Sequence, residues 1–89
     1  MSDDVFFAAE IDQNIFEIDL HACDNIPDVI DLLEQKLFYL SQNHIPYCKV
    51  IHGIGSGRLA QVVHEKLSCN PLVEKWKETL EGGSCFVIL

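Results

Sequence analysis

The stretch YCKVIHGIGSGRLAQVVHEKL, residues 47–67, decides how this chain folds. Its first five residues are mostly apolar, as in a strand buried on both faces. At its far end Leu59, Val62, Val63 and Leu67 recur at the three- and four-residue steps of one helix face. Between the two lie His52 and three alternating glycines, Gly53, Gly55 and Gly57. A turn needs one or two glycines. Three beside a histidine indicate that something approaches the backbone closely. A strand that runs through such a loop into a helix also places it at the C-terminal edge of a sheet, where α/β folds bind ligands.

Working outward, NIFEIDLH (residues 14–21) alternates. Phe16, Ile18 and Leu20 point one way, and Ile15, Glu17 and Asp19 the other, so this is a strand with one polar side. Asp24 and Asn25 are N-cap candidates for the next segment, and Pro27 suits its first turn. Ile26, Val29, Ile30, Leu33, Leu37 and Leu40 then form the buried stripe of a helix reaching about Gln42. Pro46 blocks its continuation. Beyond the second helix, LVEKWKETL alternates weakly, EGG is a turn, and SCFVIL is a terminal apolar strand. The order is β-α-β-α-β-β. Helical crossovers favour parallel pairing of the first strands, and a short glycine turn makes the last two a hairpin. The expectation is an α/β two-layer sandwich, a mixed four-stranded sheet with two helices on one face. Residues 15–89 form this domain. Residues 1–14 show no clear period and read as an N-terminal lead-in segment that Phe6 and Phe7 tie to the core.

At 89 residues the chain is one domain that buries roughly 60–65% of its unfolded surface. Six basic residues face fourteen acidic ones, a formal net charge of −8. Any polyanion would meet an unfavourable overall field and depend on a local patch. No apolar run approaches the roughly 20 residues that cross a bilayer. The acidic N-terminus lacks the basic region of a signal peptide. Both point to a cytoplasmic protein. Cys23, Cys48, Cys69 and Cys85 contain no C-x-x-C pair. Neither a zinc site nor a short-range disulfide framework is expected from such spacing.

Two clusters carry candidate chemistry. Asp19 and His21 end the first strand two residues apart, so both project from one side. An Asp beside a His orients the imidazole and raises its basicity. On spacing alone, Asp19 as a helix cap with His21 at the rim is the plainer reading. The second cluster is His52 with Gly53, Gly55, Ser56, Gly57 and Arg58. Here the glycine loop and the positive end of the following helix suit a phosphate, with Ser56 and Arg58 as further donors and Lys49 nearby. The spacing is neither G-x-G-x-x-G nor a P-loop, and a flexible turn is the alternative. His44 and His64 receive no role, and Trp76 reads as core.

The two clusters together resemble the motifs of the small MutS-related (Smr) domain family. IDLHA (18–22) is similar to that family's L-D-L-H-G, and HGIGSG (52–57) to its H-G-x-G-x-G. NPLVEKW and EGGSCFVIL resemble its third-strand lead and closing hairpin, so the likeness covers about residues 15–89. It implies the fold read above, similar to the C-terminal domain of a bacterial translation initiation factor. It also implies nucleic-acid binding and, as in several members, endonuclease activity that nicks DNA, including branched DNA, or cleaves RNA on stalled ribosomes. Such domains occur alone, in plant pentatricopeptide-repeat proteins, or at the C-terminus of a larger MutS-like protein.

Carried over, Asp19, His21 and His52 are the catalytic candidates, with His52 as a second acid/base. Gly53, Gly55, Ser56, Gly57, Arg58 and Lys49 are the phosphate-binding candidates. Cleavage of RNA through its 2′-hydroxyl needs no metal. On DNA, water is the nucleophile and a divalent cation (Mg or Mn) held partly by Asp19 is implied. Ala22, Ile54 and Ala60 depart from the family pattern of Gly, Lys and Arg. Each lost cation removes a phosphate contact. The competing expectations are a non-catalytic interaction domain that binds protein through its acidic surface, and a small-molecule phosphate binder.

Overall fold

The computed structural model describes residues 2–21, 25–55 and 57–89. Ala22, Cys23, the cap candidate Asp24 and the loop donor Ser56 lie outside the described residues. The elements in chain order are α1 (Ser2–Ile11), β1 (Glu17–Asp19), α2 (Ile26–Gln42), β2 (Tyr47–Ile51), α3 (Arg58–Cys69), β3 (Lys75–Glu78) and β4 (Ser84–Ile88).

The four strands form one mixed sheet in the order β1-β2-β4-β3. β1 and β2 run parallel, with Asp19 opposite Ile51. β4 lies antiparallel to β2 and to β3. The sequence read this α/β architecture from Glu17 onward. α2 starts where Asn25 caps it: its side-chain oxygen accepts from the Asp28 amide at 3.0 Å, and its Nδ2 donates to the Asp28 carboxylate at 2.8 Å. The first of these bonds satisfies a backbone donor that the opening helical turn leaves without an intrahelical partner, and the second holds the two side chains together. α2 ends at Asn43 and at His44, whose φ of +58° is left-handed.

The core lies between α2, α3 and one sheet face. Ile18, Leu20, Cys48, Val50, Cys85 and Val87 meet Val29, Leu33, Leu37, Leu40, Val63 and Leu67, all buried. Strand alternation sends Cys48 and Val50 inward from β2, and their cross-strand partners Val87 and Cys85 inward from β4. Burial pushes the Cys48 thiol up to about 12. Trp76 is half-buried against this core, and its indole N–H donates to the Ser68 hydroxyl at 3.2 Å.

The N-terminal segment departs from the sequence expectation: Ser2–Ile11 is a helix, not a loose lead-in. α1 packs on the sheet face opposite α2 and α3, so the sheet is covered on both sides. Lys77 and its cross-strand partner Phe86 point to that second face. The Lys77 ammonium pairs with Glu10 at 2.6 Å and lies 5.1 Å from the Phe6 ring centroid. The Tyr47 hydroxyl donates to the Asp12 carboxylate at 2.7 Å. Phe6 and Ala9 are buried one turn apart, while Phe7 and Ile11 stay exposed. Apolar residues thus run around the helix instead of along one stripe, which is why no period was visible. Among the described residues no helix is long and apolar enough to cross a membrane.

Candidate functional site at the strand edge

Parallel pairing brings the C-terminal ends of β1 and β2 to one edge, where the Leu20 amide still donates to the Ile51 carbonyl at 2.7 Å. His21 leaves β1 there. Its Nδ1–H donates to Asp19 Oδ1, and its backbone amide donates to the same oxygen at 3.1 Å. A carboxylate only accepts, so Nδ1 carries the proton and the neutral ring presents Nε2 as its basic nitrogen. The His21 hydrogen bond is the main reason that the Asp19 carboxyl lies below the ordinary carboxylate range. Side-chain exposures of 60% for His21 and 50% for Asp19 leave the pair open to a large substrate.

The glycine loop lies against His21. A β-carbon on Gly53 would meet the His21 β-carbon at 3.5 Å. Gly53, Gly55 and Gly57 have φ of +79°, +39° and +84°. At Gly53 and at Gly57, the N-cap of α3, this conformation costs an L-residue roughly 1–2 kcal/mol. α3 then starts at Arg58, so the amides of its first turn face the loop without intrahelical acceptors. Arg58 is exposed at that end.

A third segment, read from the sequence only as a turn, completes the edge. The Gly83 carbonyl accepts from both the His52 and Gly53 amides, at 3.1 and 2.9 Å. A β-carbon on Gly83 would lie 3.5 Å from Ile54 Cγ1 and under 4 Å from the Gly53 backbone. The adjacent glycines at 82 and 83 were the available signal. Only pairing of β2 with β4 reveals what Gly83 touches.

Two expected site residues stand elsewhere. His52 is 3% exposed, and both ring nitrogens are engaged within the protein. Nδ1 bonds the Gly53 carbonyl at 2.8 Å, and Nε2 faces Cys85 Sγ at 3.6 Å. The strand alternation that turns Lys49 and Ile51 outward continues into a loop whose first residue turns in. His52 therefore stands behind the cradle, not in it. Lys49 sits mid-strand opposite Glu17, its ammonium 5.8 Å from the Phe86 ring centroid, and does not reach the loop. Ile54 is 68% exposed at the loop, and Leu80 is fully exposed on the β3–β4 turn at the same edge.

Magnesium and manganese take several hard oxygen ligands. Among the described residues no three acidic, histidine or cysteine side chains gather around Asp19, whose Oδ1 already accepts two bonds from His21. The Asp19–His21 pair offers a hydrogen-bonded carboxylate and one basic ring nitrogen, donors suited to proton transfer.

The family model for the Smr domain matches residues 18–88. A curated relative, endonuclease MutS2 of Thermomicrobium roseum, is 32% identical over 53 residues, 60% of this chain. The chain spans 7% of that relative's length. Among solved structures, the crystal structure of the Smr domain of Thermus thermophilus MutS2 superposes with a TM-score of 0.78 at 24% identity. The match covers 84% of this chain and 98% of that one, and it supports the fold.

Proposed function

The chain belongs to the Smr domain family, and from that premise we propose that it binds nucleic acid and cleaves a phosphodiester bond at the strand edge. The observation that carries this reading is the exposed Asp19–His21 pair lying against the left-handed glycine loop. The Gly53 and Gly57 amides already donate to the Gly83 and Ile54 carbonyls, so the backbone amides at the start of α3 hold a phosphate beside the loop, with Arg58 adding charge. His21, oriented by Asp19, is the acid/base. On RNA, Nε2 takes the 2′-hydroxyl proton as that oxygen attacks phosphorus. The P–O5′ bond breaks, leaving a 2′,3′-cyclic phosphate and a 5′-oxygen that regains a proton. On DNA the attacking group is water. His52 is a positioning residue that ties the loop root to β4. The cytoplasm and a larger MutS-like parent protein are the proposed setting; buried free thiols fit a reducing compartment.

Cleavage assays on single-stranded RNA and on branched and duplex DNA test this. His21→Ala and Asp19→Asn should lower the rate by about 10²–10⁴-fold while leaving the fold intact, because both side chains are exposed. Equal cleavage by wild type and both variants removes the proposal.

A second reading is a non-catalytic interaction domain. The exposed Ile54 and Leu80 at the site edge and the net charge of −8 favour it. It expects protein binding that Ile54→Lys abolishes, and no salt-dependent affinity for nucleic acid. The cleavage reading expects Ile54→Lys to tighten nucleic-acid binding.

A further inference from the structure

Behind the glycine loop, side chains from three elements converge without any short sequence spacing to announce them. His52 follows β2, His64 lies on α3, and Cys85 lies on β4. One ligand atom from each is within 4.8 Å of the other two. His52 Nε2 and Cys85 Sγ are 3.6 Å apart. A tetrahedral zinc ion, with Zn–N near 2.05 Å and Zn–S near 2.3 Å, holds such atoms about 3.6 Å apart.

The tautomer of His52 fits as well. A carbonyl only accepts, so Nδ1–H donates to Gly53 and leaves Nε2 unprotonated, directed at Cys85. Donation of the second ring N–H to a backbone carbonyl is how metal-bound imidazoles are held. His64 Nε2 is buried and has no hydrogen-bond partner. Its ring is set by stacking on Trp76 at 4.7 Å and by edge contact with His52 at 5.4 Å. An acid also faces this histidine: Glu78 Oε1 is 3.6 Å from His64 Nε2. Glu78 is also the cross-strand partner of Cys85, and its part-exposed side chain gives an ion a way in.

We propose that His52, His64, Cys85 and Glu78 bind one Zn²⁺ ion that staples β2, α3 and the β3–β4 hairpin at the root of the glycine loop. Binding forms two Zn–N bonds, one Zn–S bond and one Zn–O bond, and the Cys85 thiol proton leaves to solvent. The thiolate and carboxylate together cancel the charge of the ion, so no net charge is buried. Imidazole and thiolate donors select zinc over magnesium or manganese. The site is separate from the Asp19–His21 pair and does not depend on the cleavage proposal. A small domain gains disproportionately from such a staple.

The full chain, stripped with chelator and kept reduced, is titrated with Co²⁺ as a spectroscopic probe and then with Zn²⁺. The expected result is one ion per chain, with four-coordinate d–d bands and a thiolate-to-cobalt charge-transfer band that Zn²⁺ displaces. Cys85→Ala should abolish the charge-transfer band. His64→Gln, which keeps a polar side chain of similar length at a half-buried position, should weaken binding at least tenfold. Cys69→Ser should change nothing. Absence of the charge-transfer band in wild type overturns the proposal. So does its persistence in Cys85→Ala, its loss in Cys69→Ser, or unchanged affinity in His64→Gln.

Discussion

Gly53 faces His21 across a gap that a methyl group would fill: a β-carbon on the glycine would stand 3.5 Å from that of the histidine. The two motifs, 32 residues apart in sequence, therefore meet at a position with no side chain. The contact is ordinary van der Waals packing, so a methyl group fits. The φ of +79° does not suit it. Gly53→Ala should lose about 1–2 kcal/mol, read as a lower urea midpoint at unchanged slope. A neutral result would mean that the loop has another conformation.

The Asp19–His21 hydrogen bond has a definite pH signature. Because the folded carboxyl titrates below its ordinary value of 3.8, the stabilisation is complete above that value and is lost as pH falls through the depressed one. The Asp19 carboxyl-carbon shift should show a midpoint below 3.8 in wild type. In His21→Ala the midpoint should move upward. A wild-type midpoint at or above the ordinary value would mean that the pair does not form in solution.

Docking of α1 predicts an asymmetry between two neighbours. Phe6 is buried against the sheet and Phe7 is not. Phe6→Ala should cost about 3 kcal/mol, and Phe7→Ala no more than about 0.5 kcal/mol, by chemical denaturation. Equal effects would place α1 off the sheet.

Thiol chemistry should separate Cys48 from Cys69. Raising a thiol from 9.0 to about 12 cuts its thiolate fraction at pH 8 by about a thousandfold, and only the thiolate is alkylated. Iodoacetamide followed by peptide mapping should label exposed Cys69 rapidly and Cys48 only after unfolding. Early labelling of Cys48 would show that the core opens.

Arg58 begins α3 beside the cradle. If it contacts a phosphate, Arg58→Ala should reduce the slope of log affinity against log salt by about 1 for any nucleic-acid probe. An unchanged slope would remove Arg58 from the interface.

Much of this protein was legible in its sequence because local rules decide it. Alternation in Phe16, Ile18 and Leu20 set the inward face of β1. The stripe from Val29 to Leu40 set the buried side of α2. The glycine loop between an apolar strand and an amphipathic helix placed both motifs at one strand edge, where His21 and Gly53 face each other. Asp19 and His21, two residues apart, were expected on one side of the strand end, with Asp19 as a helix cap the plainer reading; Asn25 caps the helix instead, and Asp19 bonds His21.

Other features have no local signature. α1 carries apolar residues on several sides, and only the free second face of the sheet selects which of Phe6 and Phe7 is buried. His52 reads in sequence as a site residue beside its glycines, yet its side chain turns inward where β4 brings Cys85 and α3 brings His64. Lys49 reads as a nearby cation, yet the pleat and register hold it against Phe86. Sequence alone determined the strands and helices from β1 onward and their order, because periodicity and short spacing are properties of neighbours along the chain. Tertiary structure decided which histidine faces solvent and which faces Cys85, because that depends on which strands and helices lie next to one another.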